Sequence, residues 1–141
     1  MSLRALAYVS HVVGPWDRMS LDGLIAKAAD FNSEADVTGV LLFDGHRFLQ
    51  YLEGPEEGVD AAYHRVCIST SHSDLIVLSQ GPLARRLVPY WRMHWLLADP
   101  GQVRNVAHAD WMGFIRSERR RERPRSAMEH LLSYLNPHVP A

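Results

Sequence analysis

The stretch VTGVLLFDGHRFLQYL, Val37 to Leu52, constrains the fold more than any other part of the chain. Two apolar runs, Val37–Phe43 and Arg47–Leu52, flank the turn dipeptide Asp44-Gly45. Short β-rich runs joined by Asp-Gly predict an antiparallel hairpin. A lone hairpin is barely stable in water, so what flanks it decides the fold.

On the N-terminal side, Leu3 to Ser10 reads as a first strand, punctuated by Gly14 and Pro15. Ser20 is a candidate N-cap, and Leu21, Leu24, Ile25 and Ala28 follow at helical spacing, which predicts a helix ending near Phe31. On the C-terminal side, Gly54 precedes Pro55 at an expected first helical position, with Glu56 and Glu57 in the first turn. Val59, Ala62, Tyr63 and Val66 then share one helix face. Leu75–Ser79 predicts a fourth strand. Val88–Leu97 predicts a fifth, with Arg92 and His94 alternating against Trp91, Met93 and Trp95. The order describes an α/β (α+β) chain: a ferredoxin-like β-α-β-β-α-β-β sheet with two helices on one face and C-terminal helices.

The tail supplies cover for the open sheet face. Val103, Val106 and Ala107 predict a short helix. Ser126 with Glu129 forms a capping box ahead of Met128, Leu131, Leu132 and Leu135. The expected division is a domain over 1–98 and a helical extension over 99–141. Trp111, Met112, Phe114 and Ile115 suggest a homo-oligomer. The arginine run Arg116–Arg125 carries interleaved glutamates and reads as a salt-bridged, solvated segment.

Composition narrows the function classes. The 141 residues carry 47% hydrophobic content and a net charge of −1, which suits one packed domain and argues against nucleic-acid or membrane-surface binding. The single cysteine, Cys67, reads as a small buried residue, and it excludes an internal disulfide. The histidines show no metal-ligand spacing and read as surface or satisfied groups. The expected location is cytoplasmic.

The strings LAYVS, Asn32 followed by VTGVLLFDG, FLQYLEG and WRM occur in that order. Together they resemble the BLUF family of flavin photoreceptors, over roughly residues 3 to 98. The hairpin with FLQYLEG is the most specific part. The resemblance implies a flavin held between the two helices: FAD, with FMN or riboflavin as alternatives. It implies that Leu24 and Val66 sandwich the ring and that Asn32 hydrogen-bonds its polar edge. Tyr8 is implied as the electron and proton donor in the light reaction. Gln50 is implied between Tyr8 and the flavin, changing its orientation or tautomer, and Trp91 and Met93 are implied to report that change. Read alone, Tyr8 is a core tyrosine, Asn32 a helix C-cap, and Gln50 falls on either face of its strand.

Three positions depart from the family pattern. Phe31 stands where a polar residue is usual. Ser69 and Ser71 replace an acid and an arginine at the ribityl and phosphate end, ahead of His72. Arg65 matches a position that can be basic and face the cofactor. The expected function is a blue-light sensor without enzymatic activity, signalling through a downstream protein partner. The alternative is a flavin-free interaction module of the same fold. Acylphosphatase-type chemistry is disfavoured, because His11-Val12-Val13-Gly14 is no phosphate-binding loop.

Overall fold

A computed structural model describes residues 2–109, 111 and 126–140. The strands are β1 (Leu3–Val12), β2 (Thr38–Phe43), β3 (Arg47–Pro55), β4 (His72–Leu83) and β5 (His94–Leu97). The helices are α1 (Arg18–Ala35), α2 (Glu56–Cys67), α3 (Pro100–Ala107) and α4 (Ala127–Leu135). The sheet order is β4-β1-β3-β2-β5. β3 runs antiparallel to both β1 and β2, β4 antiparallel to β1, and β5 parallel to β2 at the edge. This is the expected ferredoxin-like sheet with one added strand.

The hairpin forms, with its turn one residue further on than Asp44-Gly45 predicts. Gly45 and His46 are the central pair, and Gly45 takes φ +94°. A positive φ at the first central position suits a type II′ turn. Asp44 Oδ1 closes it by accepting from the His46 and Arg47 amides at 2.9 and 2.7 Å.

Helix α1 is longer at both ends than its apolar spacing suggests. Asp17, not Ser20, is the N-cap, accepting from the Ser20 amide. At the other end the helix runs on to Ala35, and Asp36 closes it at φ 59°. The Asp36 and Val37 amides take up the last carbonyls, with Val37 N on Asn32 O at 2.8 Å. Asn32 is therefore inside the helix, not a cap beyond it. Pro55 likewise sits outside α2, as its N-cap.

The fifth strand is the largest departure. Only His94–Leu97 joins the sheet. Residues 84–93 form an irregular connection, because Pro89 lacks a ladder donor and side chains hold the neighbouring amides. Strand parity therefore does not reach back to Trp91. Met93 and Trp95 face the α1/α2 side, whereas Trp91 packs on the opposite side and stacks on His94, with centroids 4.6 Å apart and planes at 16°.

Alternation along the strands divides the interior into two cores. Leu6, Tyr8, Leu41, Phe48 and Leu52 face α1 and α2. Ala5, Ala7, Val40, Leu42, Leu49 and Tyr51 face α3 and α4, which cover the second face as expected. Asp99 and Gln102 form a capping box on α3, and Ser126 accepts from the Glu129 amide to begin α4. Trp111 is buried in this second core. Met112, Phe114, Ile115 and the arginine run lie outside the described residues. Among the described residues, no helix is long and apolar enough to cross a membrane.

Helices α1 and α2 approach closely at one end. A Cβ on Gly58 would collide with the Ala35 carbonyl, and one on Gly54 would lie 2.7 Å from the Asp36 carbonyl. Only glycine permits that contact.

Candidate functional site

Tyr8 on β1 lies directly opposite Gln50 on β3, and Gln50 lies opposite Leu41 on β2. The three form one row across the sheet, facing α1 and α2. The structure thereby settles which face Gln50 takes. Tyr8 and Gln50 are 3% and 6% exposed. The Tyr8 hydroxyl donates to Gln50 Oε1. Gln50 Nε2 points at Met93 Sδ, 3.7 Å away. A donor on its oxygen and a weak acceptor beyond its nitrogen fix the orientation of the amide.

A cavity of about 340 Å³ opens above this row, between the helices. Sites for small molecules range over roughly 300–1,000 Å³. Leu24, Ala28 and Asn32 reach it from α1 because they recur every fourth residue, with Ile25 beside them. Ala62, Arg65 and Val66 reach it from α2. Tyr8, Leu41, Phe48, Gln50 and Leu52 form the floor, and Ile68, Ser69, Thr70, Ser71 and His72 form the outer end. Aliphatic walls over a floor bearing a phenol and a carboxamide suit a flat aromatic ring with a polar edge. The residues present fit a flavin.

The polar groups are individually secured. Asn32 is 2% exposed, and its Nδ2 donates to the Arg92 carbonyl at 2.7 Å. His72 Nε2 lies 2.9 Å from the Val66 carbonyl, and Nδ1 lies 2.6 Å from Ser10 Oγ. A carbonyl cannot donate, so Nε2 carries a proton toward Val66, while Nδ1 shares its hydrogen bond with Ser10. The His72 ring lies 5.8 Å from that of Tyr8. At the outer end, Ser69 Oγ donates to Ser71 Oγ at 3.0 Å. The Arg65 guanidinium sits over the Phe31 ring, 5.3 Å from its centroid. Phe31 thus positions a cavity residue without lining the cavity itself.

Burial pushes the Tyr8 phenol far above its ordinary pKa, with Cys67 and Tyr63 adding to the effect. Cys67 is exposed, contrary to its reading as a buried residue. Its hydrogen bond is the main cause that raises Tyr63. His94 also departs from expectation: its Nε2 is buried and has no hydrogen-bond partner among the described residues.

Of the residues singled out from sequence, Tyr8, Leu24, Asn32, Gln50, Arg65, Val66, Ser69, Ser71 and His72 line one cavity. Met93 touches it through Gln50. Trp91 does not, since it lies on the far side of the sheet. Ile25, Ala28, Leu41, Phe48, Leu52, Ala62, Ile68 and Thr70 also line it and were not singled out as site residues. For Phe48 and Leu52 the signal was available, because they share strand parity with Gln50.

Residues 3–94 match the family model described as "BLUF: Sensors of blue-light using FAD". The chain is 37% identical over 76 residues to the "Blue light- and temperature-regulated antirepressor BluF" of Escherichia coli (strain K12), covering 54% of this chain and 19% of that protein. It is 32% identical over 88 residues to "Photoactivated adenylate cyclase subunit beta" of Euglena gracilis, covering 62% of this chain and 10% of that protein. Among solved structures, the BlrP1 BLUF domain is 31% identical with TM-score 0.62, covering 68% of this chain and 65% of that one. Klebsiella pneumoniae BlrP1 in its pH 8.0 calcium/cy-diGMP complex is 27% identical with TM-score 0.66, covering 94% of this chain and 33% of that one. The chain therefore spans a small fraction of the curated relatives it matches. With the matched segment carrying strands β1 to β4, helices α1 and α2 and the whole cavity, this chain belongs to the BLUF family of blue-light flavin sensors.

Proposed function

We propose that the cavity holds the flavin ring between Leu24 and Val66, and that Tyr8 and Gln50 are the light switch. The buried Tyr8–Gln50 hydrogen bond at the cavity floor carries this reading. A bound flavin supplies a blue-absorbing ring whose excited state accepts an electron. Tyr8 donates it. Burial makes a lone phenol proton costly to release, so the proton would follow the electron to the ring by way of Gln50. Gln50 then loses the donor that held its oxygen. Half a turn of its amide exchanges Oε1 and Nε2. The thioether of Met93 cannot donate, so it loses its partner and the segment leading into β5 is released.

Asn32 and Gln50 hold the polar edge of the ring. Ser69, Ser71, His72 and Arg65 meet the ribityl chain and whatever follows it. Two serines in place of an acid and an arginine leave Arg65 as the one permanent charge in this set, so the preference for FAD over FMN or riboflavin is weakened. Residues 1–98 form the sensor and 99–141 the output extension. The chain works in the cytoplasm, without catalysis of its own, as a homo-oligomer that passes its signal to a protein partner.

The mutual Ser69–Ser71 bond favours one other reading, a member that folds without flavin. The visible spectrum of the purified chain separates the two. A flavin band that red-shifts under blue light and recovers in the dark is expected, and Tyr8→Phe abolishes the shift. A colourless protein that takes up no added flavin rejects the sensor reading. A coloured protein without a shift rejects the roles of Tyr8 and Gln50.

A further inference from the structure

Glu53 is 0% exposed on β3, three residues beyond Gln50. Odd spacing puts it on the opposite face of the sheet. A carboxylate so deeply buried must be satisfied by hydrogen bonds. Its oxygens accept from the Leu87 amide at 2.9 Å, the Val88 amide at 2.6 Å and the Tyr51 hydroxyl at 2.8 Å. The Leu87 and Val88 amides belong to the 84–93 connection, which ends at Met93. Arg86 fastens the same connection, donating to Thr38 Oγ1 at 2.9 Å and to the Asp36 carbonyl at 2.7 Å. The far end is held by Gly39 N on the Trp91 carbonyl at 3.1 Å and by Asn32 on the Arg92 carbonyl.

β3 therefore touches this connection from both of its faces. Gln50 meets Met93 on one, and Glu53 grips Leu87 and Val88 on the other. The carboxylate takes no part in the cavity. Its hydrogen bonds substitute for ladder bonds that a strand interrupted by Pro89 cannot make.

We propose that Glu53 is a positioning residue for the switch: it anchors residues 84–93 to β3 so that Met93 is held against Gln50. The proposal rests on the reading of Gln50 as the moving group. Glu53→Gln keeps the shape but turns an amino group toward one of the two backbone donors.

The test uses the full chain loaded with FAD. In Glu53→Gln, amide exchange at Leu87 and Val88 accelerates by about tenfold or more, while Leu49 and Tyr51 in β3 are unchanged. Met93→Ala alters the dark-recovery rate about fivefold or more in the wild-type background, and less than about twofold in the Glu53→Gln background, because residues that act as one unit are not additive. Unchanged exchange at Leu87 and Val88 would overturn the proposal. So would an equal Met93→Ala effect in both backgrounds, which is the signature of a merely structural glutamate. If the wild type shows no light-induced shift, the switch reading fails. The anchor is then judged separately, by exchange at the two amides and by whether the Gln50 side-chain resonances move in Glu53→Gln. Should Glu53→Gln not fold, Arg86→Ala loosens the same connection and must reproduce both effects in weaker form.

Discussion

The side-chain amide of Asn32 and the backbone carbonyl of Arg92 meet at 2.7 Å, joining a cavity-lining residue of α1 to the peptide unit just before Met93. One side chain thus borders the cofactor site and holds the segment that leaves it. Asn32→Ala should destabilise the chain by about 0.5–1.5 kcal/mol, the net contribution of one part-buried hydrogen bond. Urea unfolding measures the loss. Flavin affinity should fall in the same variant, as read by fluorescence titration with FAD.

The outer end of the cavity can be returned to its charged form. Ser71→Arg should tighten FMN and FAD, leaving riboflavin unchanged, since only the first two carry phosphate. A hydrogen bond to a charged group contributes about 1.5–3 kcal/mol, or roughly ten- to a hundredfold in affinity. Equal tightening for all three flavins would show that the new arginine meets the ribityl chain instead.

The close approach of the two helices is equally open to test. Gly58→Ala drives a methyl group into the Ala35 carbonyl, so α2 must move away from α1. A loss of about 1–3 kcal/mol is expected, in the range of overpacked cores. The flavin slot should widen too, raising the dissociation constant for FAD. Normal affinity in a destabilised variant would separate helix spacing from cofactor binding.

Glu53 gives the fold a pH dependence of defined sign. Burial holds its carboxyl above the usual range, against the opposing pull of the Leu87 and Val88 amides, Tyr51 and Arg86. The folded state therefore binds the proton more tightly than the unfolded chain. The stability this provides is complete below the ordinary glutamate pKa of about 4.3 and is lost as pH rises from there through the raised folded value. Wild type should thus lose stability relative to Glu53→Gln across that interval. Urea midpoints of both proteins from acidic to neutral pH measure the difference. Parallel curves would show that Glu53 ionises as readily folded as unfolded.

Much of the fold was legible in the sequence, and the failures have identifiable causes. The hairpin, both covering helices and the C-terminal cover follow from local periodicity and caps. Helix α1 was cut short because Asn32 resembles a stop signal, while the true stop is the left-handed Asp36 four residues on. The 84–93 connection could not be read locally. What shapes it is a carboxylate some thirty residues earlier, and no periodicity encodes a side chain that replaces a ladder. In the site, spacing put Leu24 and Ile25 on one face of α1, and only resemblance marked Leu24 as a liner. The polar set of Tyr8, Asn32 and Gln50 came from resemblance, since each alone has an ordinary structural role. Trp91 falls on the other side from Met93 because strand parity holds only from His94 on.

The two cores share no side chain, because neighbouring residues of β3 look in opposite directions. Phe48, Gln50 and Leu52 answer to the chamber; Leu49 and Tyr51 answer to the helices behind it. Mutational drift behind the sheet leaves the chamber undisturbed so long as Glu53 keeps its hold on residues 84–93. A lineage can therefore exchange the helices against the rear of this sheet without reshaping the chamber in front of it.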